Sequence, residues 1–295
     1  MPNASAAAMS SNPPSHIVLA TDFSARCDRA QDRAVQLAIE WNASLTAVHA
    51  VDDLGLAAET LAREAYLKRV RRNADRLRDE FASVQGLRST VVVEEGSPDV
   101  VVRAVASDER AELIITGIAR AHPMSVVSIG STVTALAQSS PVPLLVVKKK
   151  VLDTNARTLL ATDLAASSRS ALLVALNWFS HRYQGLFHAY DPPYRMWADD
   201  KAAYQRDFEQ SAIAECRKFV ADVGGDQAVQ KFDIIVRYGD VIKALSTVVD
   251  DADIDLVIAG THGRTGILNV LVGSVASRIL SEVEGDALIV PQQSS

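Results

Sequence analysis

Gly117 and Gly260 stand 143 positions apart (260 − 117), and Gly130 and Gly273 keep the same separation. In the second half the segment reads Asp255-Leu-Val-Ile-Ala-Gly260-Thr-His-Gly263, then nine residues, then Gly273-Ser274. In the first half Glu112-Leu-Ile-Ile-Thr-Gly117 leads through Ile-Ala-Arg120 and nine further residues to Gly130-Ser131. A register held across two separated motifs is the mark of an internal duplication, so the chain must adopt a fold that can be built twice.

The repeat extends well beyond the glycines. Ile17-Val-Leu-Ala-Thr-Asp22 matches Thr158-Leu-Leu-Ala-Thr-Asp163 at an offset of 141, and Val91-Val-Val-Glu-Glu-Gly96 matches Ile234-Ile-Val-Arg-Tyr-Gly239 at 143. His49 and His188 each close an apolar run. Offsets that drift by only two residues place the insertions in connecting loops, where chains tolerate them.

With 295 residues and 48% hydrophobic content, each half is long enough to bury its own core. The reading is a disordered tail over 1–15, rich in Ala, Ser, Asn and Pro, a first domain over 16–150 and a second over 151–295. A net charge of −6 gives no reason to expect a nucleic-acid partner. The run Lys148-Lys149-Lys150 reads as a solvated linker between the domains. The two cysteines, Cys27 and Cys216, have no metal-like or Cys-x-x-Cys spacing, which suits a reducing compartment. With no signal-like leader and no apolar run near 18 residues, the expectation is a soluble cytoplasmic protein that makes no membrane contact.

Within each half, short apolar runs alternate with longer amphipathic ones, the pattern of an α/β fold with a parallel sheet between helices. In the first half strands are expected at Ile17 to Ala20, Leu45 to Val51, Val91 to Glu94, Leu113 to Thr116 and Leu144 to Val147. Helices are expected from Ala25 to Trp41, through Glu59 to Phe81, through Val100 to Val105, and from Ser131. Right-handed crossovers then give two tandem doubly wound domains of five strands each, with ligands in the crevice at the strand C-termini.

The Gly260 to Ser274 motif suits a phosphate. Glycine permits close backbone approach and positive φ, and the helix N-terminus that follows presents free N–H groups beside the positive end of its dipole. At this point the chain resembles the universal stress protein family, specifically its two-domain members, over nearly all of Ser15 to Pro291. The resemblance rests on the Ala-Thr-Asp ends at Asp22 and Asp163, the strand-ending histidines and the Gly-x2-Gly-x9-Gly-Ser pattern of the second half.

That resemblance implies ATP, with Mg2+, as the ligand of the second domain. Thr162 and Asp163 would lie at the adenine and ribose end, and Ala189 would line the adenine. Gly260, His262, Gly263 and Arg264 would shape the loop around the phosphates, and Gly273, Ser274 and Val275 would donate to them. Asp163 belongs with sugar or base because a carboxylate beside a triphosphate repels it. In the first half Arg120 replaces the glycine at Gly263, which either occludes a phosphate or grips one.

Bland readings stand beside these. The glycines can form a tight turn, Asp22 and Asp163 can cap the following helices, and the histidines can be satisfied core residues. The residues Tyr190, Tyr194 and Trp197 around Pro192-Pro193 read as a packed loop rather than a lid. No Gly-x4-Gly-Lys-Ser/Thr loop is present, so a nucleotide-responsive regulatory protein comes ahead of a slow ATPase or adenylyl-transferring enzyme, or of a scaffold for another small molecule or protein. An unidentified protein partner and a homodimer of tandem chains complete the expectations.

Overall fold

The computed structural model describes residues 12–51, 60–118, 129–150, 156–191, 200–261 and 273–292. Arg120, Tyr194, Trp197, His262, Gly263, Arg264 and the first eleven residues of the expected tail lie outside the described residues. The chain separates into two compact units, Pro13–Thr154 and Asn155–Ser295.

The first unit runs β1 (His16–Ala20), α1 (Asp28–Glu40), β2 (Ser44–Val51), α2 (Thr60–Ala82), β3 (Arg88–Glu95), α3 (Pro98–Asp108), β4 (Leu113–Gly117), α4 (Ser131–Ser139) and β5 (Leu144–Val147). All its strands are parallel, in the order β3-β2-β1-β4-β5. Strands β1, β4 and β5 are buried almost throughout, which is why they read as unbroken apolar runs. The edge strand β3 is longer than its apolar stretch suggested. Arg88, Ser89 and Thr90 are exposed yet pair in register with Ser44, Leu45 and Thr46.

The second unit repeats the plan with β6 (Thr158–Ala161), α5 (Arg169–Trp178), β7 (Gln184–Tyr190), α6 (Lys201–Gly224), the single turn α7 (Asp226–Val229), β8 (Phe232–Tyr238), α8 (Val241–Asp251), β9 (Leu256–Gly260), α9 (Ser274–Glu282) and β10 (Asp286–Val290). Its order is β8-β7-β6-β9-β10, again parallel. In each unit the strand order reverses beside the first strand, between β1 and β4 and between β6 and β9. A doubly wound sheet opens its crevice at that switch point.

The duplication is visible in backbone strain as well as in sequence. Arg110 and Asp253, 143 positions apart, both follow a helix at left-handed φ, +53° and +49°. Phe23 and Leu164, 141 apart, hold +58° and +64° directly after the two aspartates. Bulky side chains avoid this region, so its retention in both copies shows that the surrounding hydrogen bonds dictate it.

Two expectations are corrected here. Lys148 is not part of a solvated linker. It is 6% exposed, and its carbonyl accepts from Arg29 Nη1 at 2.7 Å, while Lys150 is exposed. Ser15, the end of the expected tail, is tied down: its N–H and hydroxyl both donate to Glu112 Oε2, and its carbonyl accepts from Ser44 N–H. Among the described residues no helix is long and apolar enough to cross a membrane.

Candidate functional site

The segment after β6 is held by a small network. Thr162 N–H continues the sheet onto the Phe187 carbonyl at 3.0 Å, and Thr162 Oγ1 accepts from Leu164 N–H at 2.9 Å, fixing the left-handed turn. Asp163 Oδ1 then accepts from Ala165 N–H at 3.0 Å and from the Ser168 hydroxyl at 2.9 Å. The first domain repeats this with Thr21, Phe23, Asp22 and Ser24, and a thiol, Cys27 Sγ, replaces the hydroxyl at 3.2 Å. These aspartates therefore close Asx turns rather than capping the next helix. Helix α1 starts at Asp28, three residues later than expected, because the turn occupies the intervening chain.

Each strand-ending histidine locks to this turn from the neighbouring strand. His188 Nδ1–H donates to the Thr162 carbonyl, and His49 Nδ1–H to that of Thr21, both at 2.9 Å. The histidines are thus positioning groups for the turn, and each brings the following alanine, Ala189 or Ala50, to the rim of a cavity.

On the far side of the second-domain cavity stands the N-terminus of α9. Asp240 caps α8 through Lys243 N–H at 3.0 Å and reaches Arg278 of α9 at 3.5 Å, joining the two helices. Gly273 enters α9 at φ −56°, so the positive φ expected of this glycine is not used. Its N–H is already committed to the Thr261 carbonyl at 2.7 Å, leaving the first helical N–H groups, of Ser274 and Val275, without intrahelical acceptors.

Thr162, Asp163, Ala189 and Gly260 meet Gly273, Ser274 and Val275 around one cavity of about 330 Å3. Thr261, Ser168 and Val241 also line it and were not anticipated. Ser168 was detectable in principle, since it stands 141 positions after Cys27 and five after Asp163. The cavity pairs apolar walls with a carboxylate at one end and a helix dipole at the other. It can hold a flat apolar group near Ala189, hydroxyls at Asp163 and an anion at α9.

The corresponding first-domain cavity measures about 250 Å3. Burial pushes the Asp22 carboxyl up, but the hydrogen bonds from Ser24 and Cys27 and the proximity of His49 outweigh it and leave the group below its ordinary range. Burial, with the Asp22 charge adding to it, pushes the Cys27 thiol up to about 11. Burial also lowers His49 below its ordinary value, against the opposing pull of the Thr21 carbonyl and Asp22. Among the described residues no group of three or more His, Cys, Asp or Glu side chains is placed to hold a metal ion.

The family model described as the universal stress protein family matches residues 14–148 and again 155–291. Among solved structures, the chain is similar to a functionally unknown protein, PA1789, from Pseudomonas aeruginosa PAO1, at 20% identity and a TM-score of 0.67, covering 95% of this chain and 93% of that one. It is also similar to a universal stress protein from Archaeoglobus fulgidus DSM 4304, at 15% identity and a TM-score of 0.65, covering 95% and 99%. At these identities the likeness speaks for the fold. No curated protein matches the chain.

Proposed function

The chain belongs to the universal stress protein family, and from that premise we propose that its second domain binds ATP and that the protein is a nucleotide-responsive regulator of a stress response. The observation that carries the reading is the open N-terminus of α9. Ser274 and Val275 present N–H groups to a cavity whose opposite end holds Asp163 and Ala189. This polarity matches a nucleotide laid with its base and ribose toward β6 and β7 and its phosphates toward α9.

Mg2+ would be held chiefly by the phosphates of the nucleotide, since magnesium keeps most of its water and needs few protein ligands. The side chains at the cavity provide binding and orientation. We read ATP as a ligand here, because the sequence carries no Gly-x4-Gly-Lys-Ser/Thr loop of a dedicated NTPase. Binding confined to the folded state stabilises the domain by mass action, and a difference in affinity between two states would shift assembly or partner binding.

Calorimetric titration of nucleotide-stripped protein with ATP and Mg2+ tests the reading. One site per chain, weakened at least about tenfold by Ser274→Pro, is expected. Absence of binding, or binding unchanged by Ser274→Pro, would overturn it.

A further inference from the structure

The exposed face of α2 is basic in a chain whose net charge is −6. Lys68, Arg72 and Arg76 stand four residues apart on the side opposite the buried Val70, Ala74 and Leu77, so they form a row over about 12 Å of helix axis. Other cations of α2 are engaged: Arg63 pairs with Glu95, Arg78 pairs with Asp75, and Arg69 lies over the Tyr66 ring. Among the described residues the row itself makes no hydrogen bond or ion pair. Like charges four apart repel, so the row weakens the helix that carries it.

The sister helix does without it. Val70, Ala74 and Leu77 of α2 correspond to the buried Ala212, Cys216 and Phe219 of α6, each 142 positions on. At the same offset the row becomes Gln210, Ala214 and Lys218, and Lys218 is held by Asp222 at 2.6 Å. The fold therefore does not require three free cations on this face.

A complementary surface exists only in the other domain. Asp250 and Asp251 end α8, and Asp253 follows at φ +49°, all three exposed. Their carboxylates make no hydrogen bond or ion pair among the described residues. Acids in the last turn of a helix oppose its dipole, so local stability does not account for them. The first-domain turn 143 positions earlier reads Ser107-Asp108-Glu109-Arg110, where Arg110 offsets one of two acids.

We propose that Lys68, Arg72 and Arg76 form a docking face for the turn Asp250 to Asp253 of a second copy of this chain. Charge complementarity selects this occupant, and each surface is confined to one half of the duplication. Size selects it as well: Glu64 and Asp79, also exposed, bound the row at its two ends. A broad anionic surface laid along α2 meets these acids too, whereas a four-residue turn meets the cations alone. The contact joins unlike surfaces, head to tail. Exposed ion pairs are individually weak, so the association is transient and salt-sensitive.

Sedimentation velocity of the full chain over a concentration series tests this. Association is expected at about 0.01 M salt, where the screening length is about 30 Å, and loss of it at about 1 M, where that length is about 3 Å. Lys68→Glu with Arg72→Glu and Arg76→Glu should weaken association at least about tenfold, and so should Asp250→Lys with Asp251→Lys and Asp253→Arg. An equimolar mixture of the two triple variants should associate again, because the intact turn of one meets the intact row of the other. Circular dichroism checks that both are folded. If a triple variant fails to fold, Lys68→Gln with Arg72→Ala, the residues that α6 carries at these places, should still weaken association. An unaltered chain that stays monomeric at low salt, association indifferent to these substitutions, or a mixture no better than its components overturns the proposal. So does a monomer whose row instead binds a labelled ten-residue glutamate peptide or phosphatidylserine vesicles, which would give the face to another partner.

Discussion

The Ser168 hydroxyl donates to Asp163 Oδ1 at 2.9 Å, and in the first domain the equivalent bond runs from Cys27 Sγ to Asp22 Oδ1 at 3.2 Å. The same turn is closed by a strong donor in one domain and a weak one in the other. In both, the carboxylate that lines the cavity also holds the chain that forms its wall.

Asp163→Ala removes the acceptor for Ala165 N–H and for Ser168 together. The expected outcome is a loss of about 2 kcal/mol in denaturant unfolding, from hydrogen bonds to a charged group. Asp163→Asn keeps the Oδ1 acceptor and should recover most of that stability, so any remaining loss in ATP titration reports ligand contact.

A Cβ added at Gly117 would lie 3.2 Å from the Arg26 carbonyl oxygen, a backbone atom that cannot swing aside. Gly117→Ala should therefore destabilise the first domain by about 1–2 kcal/mol, as overpacking does. Unfolding followed by urea should show the midpoint fall while the transition assigned to the second domain stays in place.

Ser274 is the first residue of α9, a position where proline is tolerated because no intrahelical bond is lost. Ser274→Pro removes both its N–H and its hydroxyl from the cavity. Helix content by circular dichroism should be unchanged, and ATP affinity should drop at least about tenfold, a loss of about 1.4 kcal/mol.

His49 has its folded-state pKa below the ordinary value of 6.5, so it folds as the neutral imidazole. Its contribution to stability is fully present above the unfolded pKa and is lost as pH falls through the folded one, because the unfolded chain then binds the proton more readily. The first-domain urea midpoint should thus hold steady near neutrality and decline as the solution is acidified below about pH 6.5. His49→Phe should flatten that decline.

Much of this molecule was legible in advance because repetition and burial leave marks in one dimension. The offset of 143 located both halves, and the buried strands β1, β4 and β5 appeared as apolar runs. The edge residues Arg88 to Thr90 left no such mark. An exposed edge strand is held by backbone bonds to its neighbour, and those bonds do not select apolar side chains.

The candidate site divides in the same way. The family resemblance brought Thr162, Asp163, Ala189, Gly260, Ser274 and Val275 into one hypothesis, and these residues line one cavity. Composition and spacing alone determined that the chain is a duplicated α/β protein with a glycine-rich turn ahead of a helix in each half. Only the tertiary structure decided which polar atoms remain available. The Gly273 N–H is consumed by Thr261, Lys148 is buried, and His49 Nε2 is left without a donor. A hydrogen bond depends on the distance and direction between atoms far apart in the chain, and no local pattern of residues encodes that.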